Sequence, residues 1–389
     1  MSVTGRSAKN RAGVAGLLLS GALVAASSAV TMASAASAAA GRPAQPDSGA
    51  VTLNDELAAV SCPNARMCMA VGGGLTERWN GQRWTTEPFP RPAGAIGDGL
   101  SGVSCTSARK CTAVGSADIS GIGSETLVER WNGKRWAIQP SPSEGTEGSP
   151  FAGVSCASAT ACTAVGIANE DLSTGTQNTL AEHWDGTSWV IQPTLPPGGS
   201  NAFTGVSCSA PSSCTAVGIV DGQAEDGPLP LAQHWNGTQW AGQRGPSDAT
   251  TSLSGVSCTS RKACIAVGQD PAVGPMAWRW NGTTWIRQTI GGSGPLNGVS
   301  CSTRRRCTAV GSLATGTAVA ERWNGHRWRM QRIRQRAGTS GNALLAVSCS
   351  SRRRCTAVGY DLTTSGNSLT LAERWNGRRW RIEPTRSPA

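Results

Sequence analysis

The sequence predicts an all-β chain: a seven-bladed β-propeller of four-stranded antiparallel blades, with one disulfide in each blade. Three observations carry this. A motif reading Val-Ser-Cys, five residues, then Cys-x-Ala-Val-Gly occurs seven times and uses all 14 cysteines. A second motif, Trp-Asn/Asp-Gly-x-x-Trp, follows each copy and leaves only Trp278 outside the pattern. The first cysteines of successive copies stand 43 to 52 residues apart, so a constant unit is joined by segments that tolerate insertion.

The first forty residues stand apart from the repeats. Arg6, Lys9 and Arg11 precede a stretch without charge, apolar around Leu17, Leu18, Leu19, Leu23 and Val24, that ends in Ala-x-Ala sequences. Charged start, apolar middle and small-residue end are the parts of a cleavable secretory signal peptide, expected over residues 1–40. Exclusion of this segment leaves a linker over 41–56, with Val51-Thr52-Leu53 expected to pair with the outer edge of the last blade and close the ring. No later segment approaches the ~18 consecutive apolar residues of a spanning helix. The expected location is outside a bacterial cell, secreted, with no transmembrane segment in the mature chain.

Each unit reads as four short strands. In the second copy Leu100–Cys105 and Cys111–Gly115 are the first two, Thr126–Trp131 the third, and Arg135–Gln139 the fourth. Asn132-Gly133 joins the last two, because both residues tolerate the positive φ of a tight hairpin turn. Pro140 then ends the ladder, lacking the N–H it needs. The seven blades fall at about 57–97, 98–147, 148–199, 200–249, 250–292, 293–341 and 342–389. Four antiparallel strands per unit and this period fit a propeller and exceed the unit of a parallel solenoid.

The repeat resembles kelch-like and other secreted bacterial propellers, and the combined Cys and Trp unit is similar to a repeat of exported actinobacterial proteins. The resemblance covers residues 57–389 and implies architecture only. The Gly-Gly pair of kelch repeats is missing, and the sialidase Asp-box needs Asp two residues before the glycine, where this chain has Trp.

An exported chain meets oxidising conditions, so paired cysteines are read as disulfides. The two cysteines of each copy face one another across a hairpin, within reach of bonding after a small adjustment. The expected bridges are Cys62–Cys68, Cys105–Cys111, Cys156–Cys162, Cys208–Cys214, Cys258–Cys264, Cys301–Cys307 and Cys349–Cys355. Each closes a small loop and contributes about 2–2.5 kcal/mol in the chain-entropy account. Neither a metal site nor a cofactor is expected: no Cys-x2-Cys spacing occurs, and the chain holds three histidines.

The paired tryptophans are expected to pack between blades. Trp278 differs. It occupies a column filled elsewhere by Glu77, Glu129, Glu182, Gln233, Glu321 and Glu373, so it is expected at solvent or a blade edge, as a candidate ligand contact. The next column holds Arg78, Arg130, Arg279, Arg322 and Arg374, with His183 and His234 in the third and fourth blades.

Charge is uneven along the chain. Of the formal +11, residues 251–389 carry 21 basic and 5 acidic groups, whereas residues 41–250 carry 11 and 19. Arg304, Arg305 and Arg306, and Arg352, Arg353 and Arg354, lie between the bridged cysteines of the last two blades, and are expected on one face, one blade apart. Arginine suits bidentate contact with phosphate or carboxylate. The expected function is a secreted, non-enzymatic binding module or scaffold, for an envelope polymer, a glycan or an extracellular protein, with an anionic polymer or glycan favoured, nucleic acid ranked lower, and the chain monomeric. The alternative is a propeller glycoside hydrolase or lyase with its site in the long loops of blades 3 and 4. There Glu170, Asp171, Asp221, Glu225 and Asp226 accompany the two histidines.

Overall fold

A computed structural model describes residues 56–386, apart from 122, 143–147, 172–175, 196–198, 222–227 and 246–250. The described residues form seven four-stranded antiparallel sheets, each built from strands consecutive in sequence. The first blade runs Ala59–Asn64, Met67–Gly72, Leu75–Trp79 and Trp84–Thr86, and the seventh Thr339–Ser351, Arg354–Thr363, Ser368–Trp375 and Trp380–Glu383. The closing strand expected at 51–53 lies outside the described residues. No helix among the described residues is long and apolar enough to cross a membrane.

All seven expected disulfides are present, each joining the two strands of a blade's first hairpin, with Cα atoms 3.9–4.1 Å apart. The Asn-Gly turns have the expected left-handed glycines, such as Gly133 at φ 98° and Gly325 at φ 98°. The two tryptophans flanking each turn pair across the strands with ring centroids 5.5–5.9 Å apart.

The serine of Val-Ser-Cys ties neighbouring blades together. The backbone N–H of each first cysteine donates to the serine Oγ of the preceding blade, at 2.9–3.0 Å in all seven cases. Ser348 of the last blade accepts from Cys62 of the first, so the relay closes on itself. Between these first strands the backbones touch. A Cβ built on Gly102 would lie 2.9 Å from the Gly153 Cα, and one on Gly298 would lie 2.9 Å from the Leu345 carbonyl oxygen. Glycine is required here for close approach rather than for its φ.

Apolar packing repeats the same way. Trp131 and Trp136 of blade 2 cover Met67, Met69 and Val71 of blade 1, and Trp79 and Trp84 of blade 1 cover Val358 and Ala372 of blade 7. The last junction is therefore built like the others. Threonines repeat between blades too: Thr356 of blade 7 donates to the Cys68 sulfur of blade 1, and Thr308 of blade 6 to that of Cys355 of blade 7.

The glutamate column corrects an expectation. Glu77, Glu129, Glu182, Glu321 and Glu373 are buried, not on a polar outer surface. Their column faces the segment leaving the fourth strand of the preceding blade. Arg386 N–H donates to Glu77, Ser141 O–H donates to Glu182, and Gln233 exchanges two hydrogen bonds with the backbone of Leu195. Both carboxyl oxygens of Glu129, Glu321 and Glu373 lack a hydrogen-bond partner among the described residues. Burial pushes Glu129 up to about 8, with Asp98 adding to it, and Glu321 to about 7. Burial, then Asp361 and Glu383, raises Glu373 to about 8.

Two outcomes are expected. Replacement of Ser104 by Ala leaves the Cys156 N–H unpaired and lowers unfolding free energy by about 1–3 kcal/mol in denaturant titration; no change would remove the relay as a source of stability. The raised carboxyls bind protons more tightly folded than unfolded, so their contribution is complete below about pH 4.5 and is lost as pH rises toward 8. Melting temperature should fall between pH 5 and 9, and Glu129→Gln with Glu373→Gln, which copy the glutamine that blade 4 already carries at Gln233, should flatten that fall.

Candidate anion-binding face

Within each blade, the cysteine-bridged loop and the Asn-Gly turn emerge at the same edge and touch. The Gly325 and Gly377 turns lie against the stems of Arg305 and Arg353, and those of Gly133 and Gly282 against Arg109 and Lys262. Each Asn side chain caps its turn: Asn324 Oδ1 accepts from the N–H groups of His326 and Arg327, and Asn376 Oδ1 from those of Arg378 and Arg379. Arginine and lysine side chains on these turns are thus held outward by a fixed backbone.

This edge forms one face of the disc, and the face is basic. Arg304, Arg305 and Arg306, and Arg352, Arg353 and Arg354, are all exposed there, on adjacent blades. Blades 1, 2 and 5 extend the arc with pairs such as Arg109 and Lys110, and Arg261 and Lys262. Blades 3 and 4 carry Ser, Thr and Gln at the matching turns, and Asp185 is the only carboxylate on any of these loops and turns. Toward the opposite edge Asp98, Asp270 and Asp361 pair with Arg91, Arg287 and Arg336.

The two larger clefts described on the basic face flank blade 6. The one between blades 6 and 7 has a volume of about 470 Å³ and is lined by Arg306, Arg322, Arg329, Arg352 and Arg353, beside Asn324 and Gln331, with no carboxylate among the described lining residues. Burial, then the like charges of Arg306 and Arg352, lowers the Arg322 pKa. The cleft between blades 5 and 6, about 660 Å³, holds Lys262, Arg279, Arg304, Arg305 and His326 against Trp280 and Trp323. The arginine triplet of blade 6 is therefore a ridge, with Arg304 and Arg305 in one cleft and Arg306 in the next.

The arginine column, not singled out as a site from sequence, works between blades. Arg130, Arg322 and Arg374 each donate to a loop carbonyl of the following blade, that of Ala159, Arg352 and Ala65, at 2.7–2.9 Å. Each guanidinium also lies 4.3–4.7 Å from a tryptophan ring centroid of that blade, Trp184, Trp375 or Trp79. The signal in the sequence is position: in five copies an arginine stands immediately before the first turn tryptophan.

Trp278 is corrected. Its side chain is 1% exposed and packs over Gly245 in the segment leaving blade 4, where a Cβ would lie 2.8 Å from the ring. The same volume that glutamate fills in other blades is filled here by an indole over a glycine. Burial lowers the pKa of His183 and of His234; His234 bonds Thr215 of its own blade, and His183 lies beside Asp185. Glu225 and Asp226 lie outside the described residues, as do the side chains of Glu170, Asp171 and Asp221. At the axis a space of about 190 Å³ is lined by Gly, Ala and Val residues with Ser101, Asn297 and Leu345, and no ionisable group is among the described lining residues. Among the described residues no group of three or more His, Cys, Asp or Glu could hold a metal ion.

No protein-family model matches the chain, and no curated protein matches it. Among solved structures it is similar to the WD40 β-propeller domain of Doa1, at 9% identity over 82% of this chain and 92% of that one, TM-score 0.51. It is also similar to YCF48 bound to D1 peptide, at 14% identity over 75% and 82%, TM-score 0.48. A fucose-specific lectin from Aleuria aurantia matches at 12% identity over 73% and 94%, TM-score 0.47. At these identities the likeness is one of fold.

Replacement of Trp278 by Ala is expected to cost about 3–5 kcal/mol of stability in denaturant unfolding. A loss below about 1 kcal/mol would contradict a packing role.

Proposed function

We propose that this protein is a secreted, non-enzymatic propeller that binds an anionic extracellular or cell-envelope ligand, an acidic polymer or glycan, on its basic face. The observation that carries this reading is the cleft between blades 6 and 7, where five arginines converge without a carboxylate among the described lining residues. Crowded guanidinium groups cost free energy in the free protein, and a phosphate, sulfate or carboxylate relieves that cost through bidentate charge-assisted hydrogen bonds. The cleft is partly walled by protein, so its field is less screened than that of a flat surface.

Burial of the aromatic rings bears on the ligand class. Every tryptophan is buried except Trp235, which is half-buried, so none offers a fully exposed ring face as a platform. Stacking on neutral sugars or on unpaired bases needs such a platform. Recognition by charge is favoured over recognition by stacking, and glycan acids over nucleic acids. The leader-like residues 1–40 and the disulfide in every blade support export to an oxidising compartment.

Retention of the oxidised protein on immobilised acidic and neutral glycans, at about 50 and 500 mM salt, tests the reading. Retention on acidic material alone, lost at high salt and lost when Arg306, Arg352 and Arg353 become Ser, is expected. Salt-resistant retention on neutral glycans, or retention that survives the substitutions, would overturn it.

A further inference from the structure

The two clefts on either side of the blade 6 ridge differ in one respect. At the junctions of blades 2 and 3, 6 and 7, and 7 and 1, the column arginine reaches across to a loop carbonyl and a tryptophan ring. At the junction of blades 5 and 6 the corresponding groups are Arg279, the Arg304 loop and Trp323. All three line the open cleft of about 660 Å³. Among the described residues Arg279 makes no such bond and no such ring contact. Its guanidinium stands with Lys262, Arg304 and Arg305, again without a carboxylate among the described lining residues. A cation that closes its own junction elsewhere is here left facing a space large enough for several anionic groups.

Taken with the anion-binding reading, on which it rests, this arrangement assigns a ligand shape. We propose that the ligand is a flexible linear polyanion that fills both clefts at once and crosses the Arg304–Arg306 hairpin between them. The hairpin serves both sides: Arg304 and Arg305 line the cleft toward blade 5, and Arg306 lines the cleft toward blade 7. A ligand with one charged group meets one cleft. A chain with regularly spaced charges meets two, and the second contact forms at the high effective concentration set by the first. The ridge is exposed and the turn beneath it is fixed by Asn324 and Gly325, so a chain can pass over it without rearrangement of the protein. The chemistry shared by candidate ligands is a chain bearing one phosphate, sulfate or carboxylate per unit, without bases to stack.

Inorganic polyphosphate is a suitable probe because its length varies while its chemistry does not. Affinities of the oxidised full protein for tripolyphosphate and for chains of about 50 phosphates would be measured by calorimetry, per phosphate, at fixed salt. Two variants each disable one cleft: Arg279→Ser with Arg304→Ser, and Arg306→Ser with Arg352→Ser. Unchanged melting temperatures would establish that both are folded. The long chain is expected to bind about a hundredfold more tightly per phosphate than the short one, and either variant should remove most of that advantage. Equal affinity per phosphate at both lengths, or long-chain binding untouched by Arg279→Ser with Arg304→Ser, would overturn the two-cleft inference while leaving a one-cleft anion site standing. Equally tight binding of rigid duplex DNA at matched charge would also overturn it. Binding of neither polyphosphate length would remove the anion-face reading itself, and this inference with it.

Discussion

The serine of each Val-Ser-Cys motif accepts the amide hydrogen of the next blade's cysteine, and seven such bonds form a closed circle around the axis. This relay sets the separation of the first strands. At that separation little room is left for a side chain between neighbours, as Gly102 and Gly298 show. The axis is consequently lined by backbone and mostly small apolar side chains. Its described lining residues include no ionisable group, whereas the clefts between blades 5, 6 and 7 are lined by arginine and lysine. The cysteine that donates each relay bond is also bridged, and its disulfide fixes the hairpin that presents those loops.

Differences between blades, rather than the repeat itself, make the candidate site. A repeated unit gives seven equivalent junctions; ligand selectivity requires some of them to differ. Arg130, Arg322 and Arg374 close their junctions through a carbonyl and an indole, whereas Arg78 is held by Glu87 and Arg279 faces the open cleft. The glutamate column shows the same principle in the packing. Gln233 satisfies the exit segment of blade 3 with two hydrogen bonds, and Trp278 fills its position only because Gly245 leaves room for the ring. Both substitutions conserve the volume between blades, which well-packed interiors demand.

The architecture was legible in the sequence because its determinants are local and repeated. Cysteines with five residues between them, an Asn-Gly pair between tryptophans, and a regular period each speak of a hairpin or a blade without reference to distant residues. The burial of Glu129, Glu373 and Trp278 was not legible, for a physical reason. Alternation along a strand separates the two sides of a sheet, but in a propeller both sides face neighbouring blades. A polar residue on alternate positions therefore does not mark solvent. The partners of these side chains, such as Gly245 for Trp278, lie in another blade and carry no motif. The arginine triplets were visible as charge, and their shared face followed from the hairpin. That one triplet divides between two clefts depends on the angle between blades, which spacing does not encode.

Ligand binding as proposed uses one face of the molecule, and leaves the opposite face and the axis to structure. Amide hydrogen exchange with and without a saturating acidic polymer measures this directly, because it reports on every loop at once. Protection is predicted in the bridged loops around Arg304–Arg306 and Arg352–Arg354, with the loops that carry Asp98, Asp270 and Asp361 unchanged. Protection centred on those acidic loops, or on the turns of blades 3 and 4, would contradict binding on the basic face.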